Sequence, residues 1–573
     1  MSSISTATSS SMTLRPPATV MQLERMGCAH QSRLSFMRVL LRRMQQEQWR
    51  FERPVWDIDA NGIGRAVFTA IGPDRSYSLV AFAHDLPDHM RSDRVIATAW
   101  DATFTLFDGI PSEADLDRLQ NNVPKQEAGR ISDSELSLSR ANRSVRLWNY
   151  VVDKLAAGQQ PEPEWIDSVG YLMRTTAVYG SGKFGAADRA KILDRNWMAG
   201  PFRLEMLAVF LIREFTLQLV EHMAKAKGGD NAVAIDPTLR RRFGVGNSTG
   251  LGMAPFLINH PMLLNHWITA RETALARIRD IRHIDANDFT AFKQFLAASV
   301  VNAKLWHSEH AVQQKKLASL RQDLQLLSDY VGQFDTAPES FWDQLYQWSE
   351  QSLSLEGQEQ LVSLMMEPYG ALIDDLADTM AADEQSAFAI NGSMTVEELL
   401  TSIDQQYAWA FELNNQAPKE RSKFWYISQE KLEPRLGNRF EEPGEEYELP
   451  FGFGLDMVAM ADALRQWPAD TKLAEVLLKH PEYRHLVRRA QLVDNHPYAE
   501  IHDNLLADHM LPIDILRCKL AFFGATRFDP RSDRWVRICM YQGAPSPFQL
   551  AESYDDAWSY PMTHVKPETL HVV

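Results

Sequence analysis

The sequence predicts a mainly α protein: a multi-helix core carrying a small antiparallel β subdomain built from N-terminal strands and, where it joins them, a C-terminal hairpin. Three observations carry this expectation. Residues 53–108 are rich in β-branched and aromatic residues, broken by turn signals at Asn61-Gly62, Gly72-Pro73-Asp74 and Pro87-Asp88. From about Asn149 onward apolar residues recur at helical spacing. Near the C-terminus, Ala521-Phe522 and Arg531-Ser-Asp-Arg534 repeat Ala81-Phe82 and Arg91-Ser-Asp-Arg94 at a constant offset of 440 positions, which predicts two similar hairpins. These either pair in one sheet or form two related subdomains.

The 573 residues exceed one ordinary core and suggest roughly two to four domains. Hydrophobic residues at 45% and charged residues at 23% fit a soluble globular protein. Lys and Arg number 59 against 75 Asp and Glu, and the resulting charge of −16 argues against nucleic acid as a partner. Cys28, Cys518 and Cys539 have neither metal-ligand nor redox spacing, so the expected compartment is the reducing cytoplasm. The apolar runs Met206–Val220 and Met253–Leu264 are interrupted by Arg213-Glu214 and by Asn259-His260, so no membrane span is expected. The Ser/Thr-rich start lacks the apolar stretch of a secretion signal.

In chain order, 1–22 is expected to be a disordered tail and 23–110 a basic helix with the small β subdomain. Residues 141–335 are expected as a helical core with Gly-rich loops, 336–512 as an acidic helical region, and 513–573 as a C-terminal hairpin and tail. In the basic helix Leu34, Met37, Leu41 and Met44 mark the buried face, with Arg33, Arg38, Arg42 and Arg43 around it as a solvated rim. The strands are expected at 55–58, 64–71, 77–84 and 95–106, followed by a polar connector from about Pro111 to Arg140. Helices follow over 149–155, 165–178 and 201–224. The last is nearly all apolar, as a central helix must be, so its Arg203, Arg213 and Glu214 need partners. A helix over 263–282 precedes one from Phe289 to about Gln333, whose Leu317, Leu320, Leu324 and Leu327 form a coiled-coil-like seam suited to crossing the domain or to homo-oligomerisation. Residues 421–450, with Phe424-Trp425-Tyr426 among alternating charges, are expected as an extended segment lying over another domain.

The stretch from Leu239 to Trp267 stands apart. Gly244, Gly246, Gly250 and Gly252 interleave with Asn247, Ser248 and Thr249, after Arg240, Arg241 and Arg242 and ahead of Asn259, His260, Asn265 and His266. Glycines let a loop turn its amides toward one point, and a helix N-terminus adds positive potential, so the stretch could hold an anion. The alternative is a tight buried crossover in which glycine is present only because side chains would clash. A second Gly-rich turn, Tyr179-Gly-Ser-Gly-Lys-Phe-Gly185, resembles a P-loop but has Ala177 and Phe184 where glycine and Ser or Thr belong, and no strand is read ahead of it. Lys183 remains as its cation.

Gly246-Asn-Ser-Thr-Gly250 has the letters of a nucleophile elbow, with Ser248 at its centre but no buried strand read before it. His307 and His310 could share a helical face, and Glu482-Tyr-Arg-His485 matches one half of a di-iron motif whose second half the sequence lacks. No metal site is expected. The run Gly246 to Pro255, with Asn259 and Pro261, resembles the mobile serine loop of the aspartase/fumarase lyases, a helical family. It departs from that loop in lacking the paired serines, the Met-Pro and the lysine.

Together these readings lead to an expected cytoplasmic enzyme, a lyase or hydrolase, acting on a small carboxylate or phosphate. Ser248, His260 and His266 are the expected catalytic residues. Lys183, Arg241, Arg242, Gly246, Asn247, Thr249, Gly250 and Gly252 are expected to bind the substrate. No cofactor is identified. The competing reading is a non-catalytic scaffold, which would show an exposed apolar helix stripe in place of a pocket.

Overall fold

The computed structural model describes residues 13–559 apart from 23–24, 91–98, 126–131, 180–196, 199–201, 248–260, 307–310, 381–388, 413–424, 429–433, 437–447, 452, 503–518, 531–535 and 554–555. It corrects the mainly α expectation. The strands are β1 (Arg50–Ile58), β2 (Gly64–Ile71), β3 (Ser76–Ala83), β4 (Ala102–Asp108), β5 (Glu135–Arg143), β6 (Tyr171–Tyr179) and β7 (Gly244–Asn247), then β8 (Trp425–Ser428), β9 (Pro434–Leu436), β10 (Glu448–Phe451), β11 (Thr526–Pro530) and β12 (Val536–Met540). Nine of them form one mixed sheet in the order β1-β2-β3-β4-β5-β6-β7-β12-β11, curled into a half-barrel, while β8, β9 and β10 form a separate three-stranded sheet. The fold is therefore mixed α/β, and the sheet is no small antiparallel appendage.

The helices used below are α1 (Phe36–Gln46), α2 (Glu113–Asn122), α3 (Trp148–Ala156), α4 (Arg203–Gly228), α5 (Pro261–Arg279), α6 (Ala286–Leu305), α7 (Ala311–Gly332), α8 (Phe341–Ser352) and α9 (Leu355–Met365). The 26-residue α4 lies in the concave face of the half-barrel. Ala66, Ala70, Ala81 and Ala102 keep that face shallow enough for a helix, and Phe68, Leu79, Phe104 and Leu106 fill the space around it. Phe215 of α4 meets both Phe68 and Phe104 edge-on. On the convex face Val67, Val80, Phe82 and Phe107 are covered by Leu116 and Leu119 of α2, whose start is fixed by a Ser112–Asp115 capping box.

Strands β5 to β7 are what the sequence reading missed. In β5, Leu136, Ser137, Leu138 and Ser139 alternate apolar with polar, but Ser137 and Ser139 are buried as well as Leu136, so both faces are covered and the usual in/out contrast is lost. The helix expected over 165–178 stops early. Pro163–Val169 is helical, Gly170 takes a left-handed conformation with φ of 81°, and the chain leaves it as strand β6. Strands β6 and β7 pair in parallel, so a crossover must join them, and α4 is its helix. The first half of the proposed hairpin repeat does not match, since Ala81-Phe82 lies in β3 whereas Ala521-Phe522 lies in a helical turn, Lys519–Phe523; the second half, Arg91–Arg94 and Arg531–Arg534, lies outside the described residues. The C-terminal hairpin β11–β12 does exist, and β12 joins the N-terminal strands through β7.

The helix expected over 289–333 is two helices, α6 and α7, packed on each other. Leu317, Leu320, Leu324 and Leu327 are all buried within the chain, which uses up the seam assigned to self-association. The basic helix also differs from its expectation, because its arginines turn inward. Arg38 grips Glu367 at 2.6 and 2.8 Å, and Arg42 and Arg33 reach Asp556. Upstream, Arg15 binds Glu272 on α5 at 2.7 and 2.8 Å and Glu359 on α9 at 2.8 Å, all three being buried. Residues 13–22, expected within the tail, thus include a buried arginine held by two carboxylates. Among the described residues no helix is long and apolar enough to cross a membrane.

Candidate functional site at the end of the half-barrel

The β6–α4–β7 unit sets the geometry. A parallel pair joined by a helix brings the C-terminal ends of both strands and the N-terminus of the helix to one end of the sheet. The contacts along α4 agree with this. Phe51 near the start of β1 meets Phe210 of α4 and Trp56 near its end meets His222, so β1 runs with α4. Five antiparallel pairings from β1 to β6 set β6 against α4, and β7 is parallel to β6. Strand β7 therefore runs toward the N-terminus of α4. Both Gly-rich stretches leave at this end, one directly after Tyr179 of β6 and the other directly after Asn247 of β7. The first of them does have a strand ahead of it, contrary to the sequence reading.

Of the expected site residues, Lys183, Ser248, Thr249, Gly250, Gly252 and His260 lie outside the described residues. Asn247 is the last residue of β7, paired with Thr175 and Ile538. Gly246 is in mid-strand, and a Cβ there would stand 2.7 Å from the Tyr171 ring; one on Gly244 would stand 2.4 Å from the Met540 carbonyl oxygen. Close packing thus accounts for these two glycines. His266 is half-buried on α5 near His496, and the next residue, Trp267, packs on Phe202, which precedes α4.

The arginines of the stretch are engaged in holding the chain together. Arg241 Nε donates to the Gly543 carbonyl at 2.8 Å, and Arg242 pairs with Asp167 at 2.7 Å. Arg240 bridges Glu214 and Glu221 at 2.8 and 2.6 Å. Arg213, buried on α4, donates to the carbonyls of Phe243, Arg240, Ala544 and Pro545, clasping the entrance to β7 against the chain that follows β12.

The cations at the N-terminal end of α4 are different ones. Arg203, its first residue, donates to the Trp197 carbonyl at 2.6 Å and lies over the Trp197 ring, and among the described residues no carboxylate pairs with it. Burial, reinforced by the nearby Arg43 and opposed by the Glu47 carboxylate, lowers the Arg203 guanidinium to about 10. Arg43 is itself lowered by burial and pairs with the exposed Asp378. Phe202 sits in a left-handed conformation with φ of 55° and supplies no side-chain cap to α4, while Glu205 is the acidic residue of its first turn. A half-buried guanidinium at a helix N-terminus favours an anion beside it. The sequence signal for Arg203 was a charge on an otherwise apolar helix. Arg43 had no such signal, because a basic rim on an amphipathic helix is ordinary.

Among the described residues no group of three or more His, Cys, Asp or Glu could hold a metal ion. No protein-family model, curated protein or solved structure matches this chain.

Proposed function

We propose that the protein is an enzyme of lyase or hydrolase type acting on a small carboxylate or phosphate at the end of the half-barrel where β6, β7 and the N-terminus of α4 meet. The observation that carries this reading is the topology: two Gly-rich stretches follow adjacent parallel strands at the end where α4 begins with Arg203. Strand, Gly-rich turn and helix N-terminus in this order form a recurrent anion-binding arrangement, because backbone amides and the helix dipole act on the same point. Arg203, Arg43 and Lys183 replace Arg241 and Arg242 as the substrate's cationic contacts. Ser248 and His260 remain the chemical groups of the second Gly-rich stretch, with His266 on the helix that follows it. The scaffold reading gains no support, since among the described residues the large exposed hydrophobics, such as Ile110, Trp165, Leu326 and Leu478, come from separate elements and form no stripe.

The test is a thermal-shift panel of phosphate, sulfate, oxalate, succinate and fumarate on the wild type, Arg203→Gln and Lys183→Ala. An anion at about a hundred times its Kd stabilises the folded state by about 2.7 kcal/mol. The expected result is a shift in the wild type that both variants reduce. A panel without any shift, or a shift that survives both substitutions, contradicts the proposal.

A further inference from the structure

At the opposite end of α4 the half-barrel leaves a slot of about 630 Å³ over the helix. Its floor is Gln218, His222 and Lys225 on one face of α4, and Arg53 and Trp56 of β1 and Phe548 complete its lining. β1 is an edge strand, and its register shifts between Glu52 and Val55, where Arg53 and Pro54 stand. A bulge re-aims side chains, and a proline there costs the ladder nothing. Arg53 lies over the Trp56 indole at 4.8 Å and donates to the Gln218 side-chain oxygen.

The charges of the slot are unequally matched. Arg240 and Glu221, which also line it, are paired with each other, Arg240 binding Glu214 as well, and among the described residues Lys225 pairs with Asp230, both of them well exposed. Arg53 is bound to a neutral amide and, among the described residues, to no carboxylate. His222 is fixed, with Nε2 donating to the Asp59 carbonyl at 2.7 Å and Nδ1 accepting from the Trp56 indole at 3.4 Å, so both ring nitrogens are in use. It orients Trp56. Phe548 is 40% exposed. A slot with one uncompensated guanidinium, a second weakly held cation and two aromatic walls suits a ligand with an anionic head and a flat apolar body.

We propose that this slot is a second, non-catalytic binding site for an aryl carboxylate, its carboxylate on Arg53 and Lys225 and its ring between Trp56 and Phe548. Titration calorimetry with 1-naphthoate tests it, with acetate and 1-naphthalenemethanol as controls lacking the ring or the charge. Naphthoate is expected to bind, and either control to bind at least about tenfold more weakly. Arg53→Gln and Phe548→Ser, both at exposed positions that should leave folding intact, are each expected to weaken naphthoate about five- to tenfold. Arg203→Gln, at the other end of α4, leaves its affinity unchanged. Equal binding of acetate and naphthoate, no binding, or affinity indifferent to both slot substitutions overturns the proposal. Naphthoate binding lost in Arg203→Gln but kept in Arg53→Gln assigns the ligand to the strand-end site instead.

Discussion

Gly246→Ala distinguishes packing from ligand contact as the reason for glycine in β7. The added Cβ would sit 2.7 Å from Cγ and Cδ1 of Tyr171 and 2.8 Å from Cδ2, well inside van der Waals contact. Tyr171 is 2% exposed and held in β6, and the parallel partner strand cannot withdraw without loosening the clasp made by Arg213. Overpacking of this kind costs about 1–3 kcal/mol. Restricting the unfolded chain returns about 0.4–1 kcal/mol, for a net loss of about 1–2 kcal/mol. Urea unfolding followed by far-ultraviolet circular dichroism reads this directly. In a Tyr171→Ala background the same methyl enters space that the ring has vacated, so Gly246→Ala becomes neutral or stabilising, and the coupling reaches about 2 kcal/mol. The reasoning is refuted if Gly246→Ala leaves stability within about 0.5 kcal/mol of wild type yet removes the response to anions.

Two further outcomes follow from buried charges. Arg213→Met leaves four carbonyl oxygens without their donor and is expected to cost about 3–5 kcal/mol in urea unfolding, whereas a loss below about 1 kcal/mol would show that the clasp contributes little. Burial pushes the Glu367 carboxyl up, but Arg38 and His30 more than reverse this and bring it from 4.5 to about 2. A carboxylate lowered on folding stabilises the native state above its unfolded value, and this one contributes about 3 kcal/mol that is lost as pH falls from 4.5 through 2. Burial lowers His30 below 6.5 despite the same carboxylate, so the unfolded chain takes up that proton first and stability begins to fall below pH 6.5. Urea midpoints against pH for the wild type and Glu367→Gln should therefore converge between pH 4.5 and 2, and parallel curves would contradict the assignment.

The first four strands and the central helix were legible because their side chains obey period two or are apolar on every side. Strand β2 begins and ends at the residues expected, and α4 starts within two residues of Pro201. Strand β5 was not legible, because its buried polar residues Glu135, Ser137, Ser139 and Asn142 read as part of a polar connector. Strand β6 was hidden by the helix that precedes it, since only the left-handed Gly170 separates the two. With β6 unread, neither the parallel pairing nor the strand before Lys183 could be inferred. The triple arginine at 240–242 looked like an anion trap because sequence shows charge but not its partner, and Asp167, Glu214, Glu221 and Gly543 are all remote in the chain or on another element. Arg203 was noticed only as a charge in need of a partner, and its closeness to Arg43 is a product of the tertiary fold.

Hydrogen–deuterium exchange with and without the anion giving the largest thermal shift tests the central claim most directly. If a substrate anion is held where β6, β7 and α4 meet, peptides covering 180–201 and 248–260 should slow together, along with the first turn of α4, while peptides covering 50–58 and 218–225 keep their rates. Protection of only one Gly-rich stretch, or of neither, would contradict a shared site.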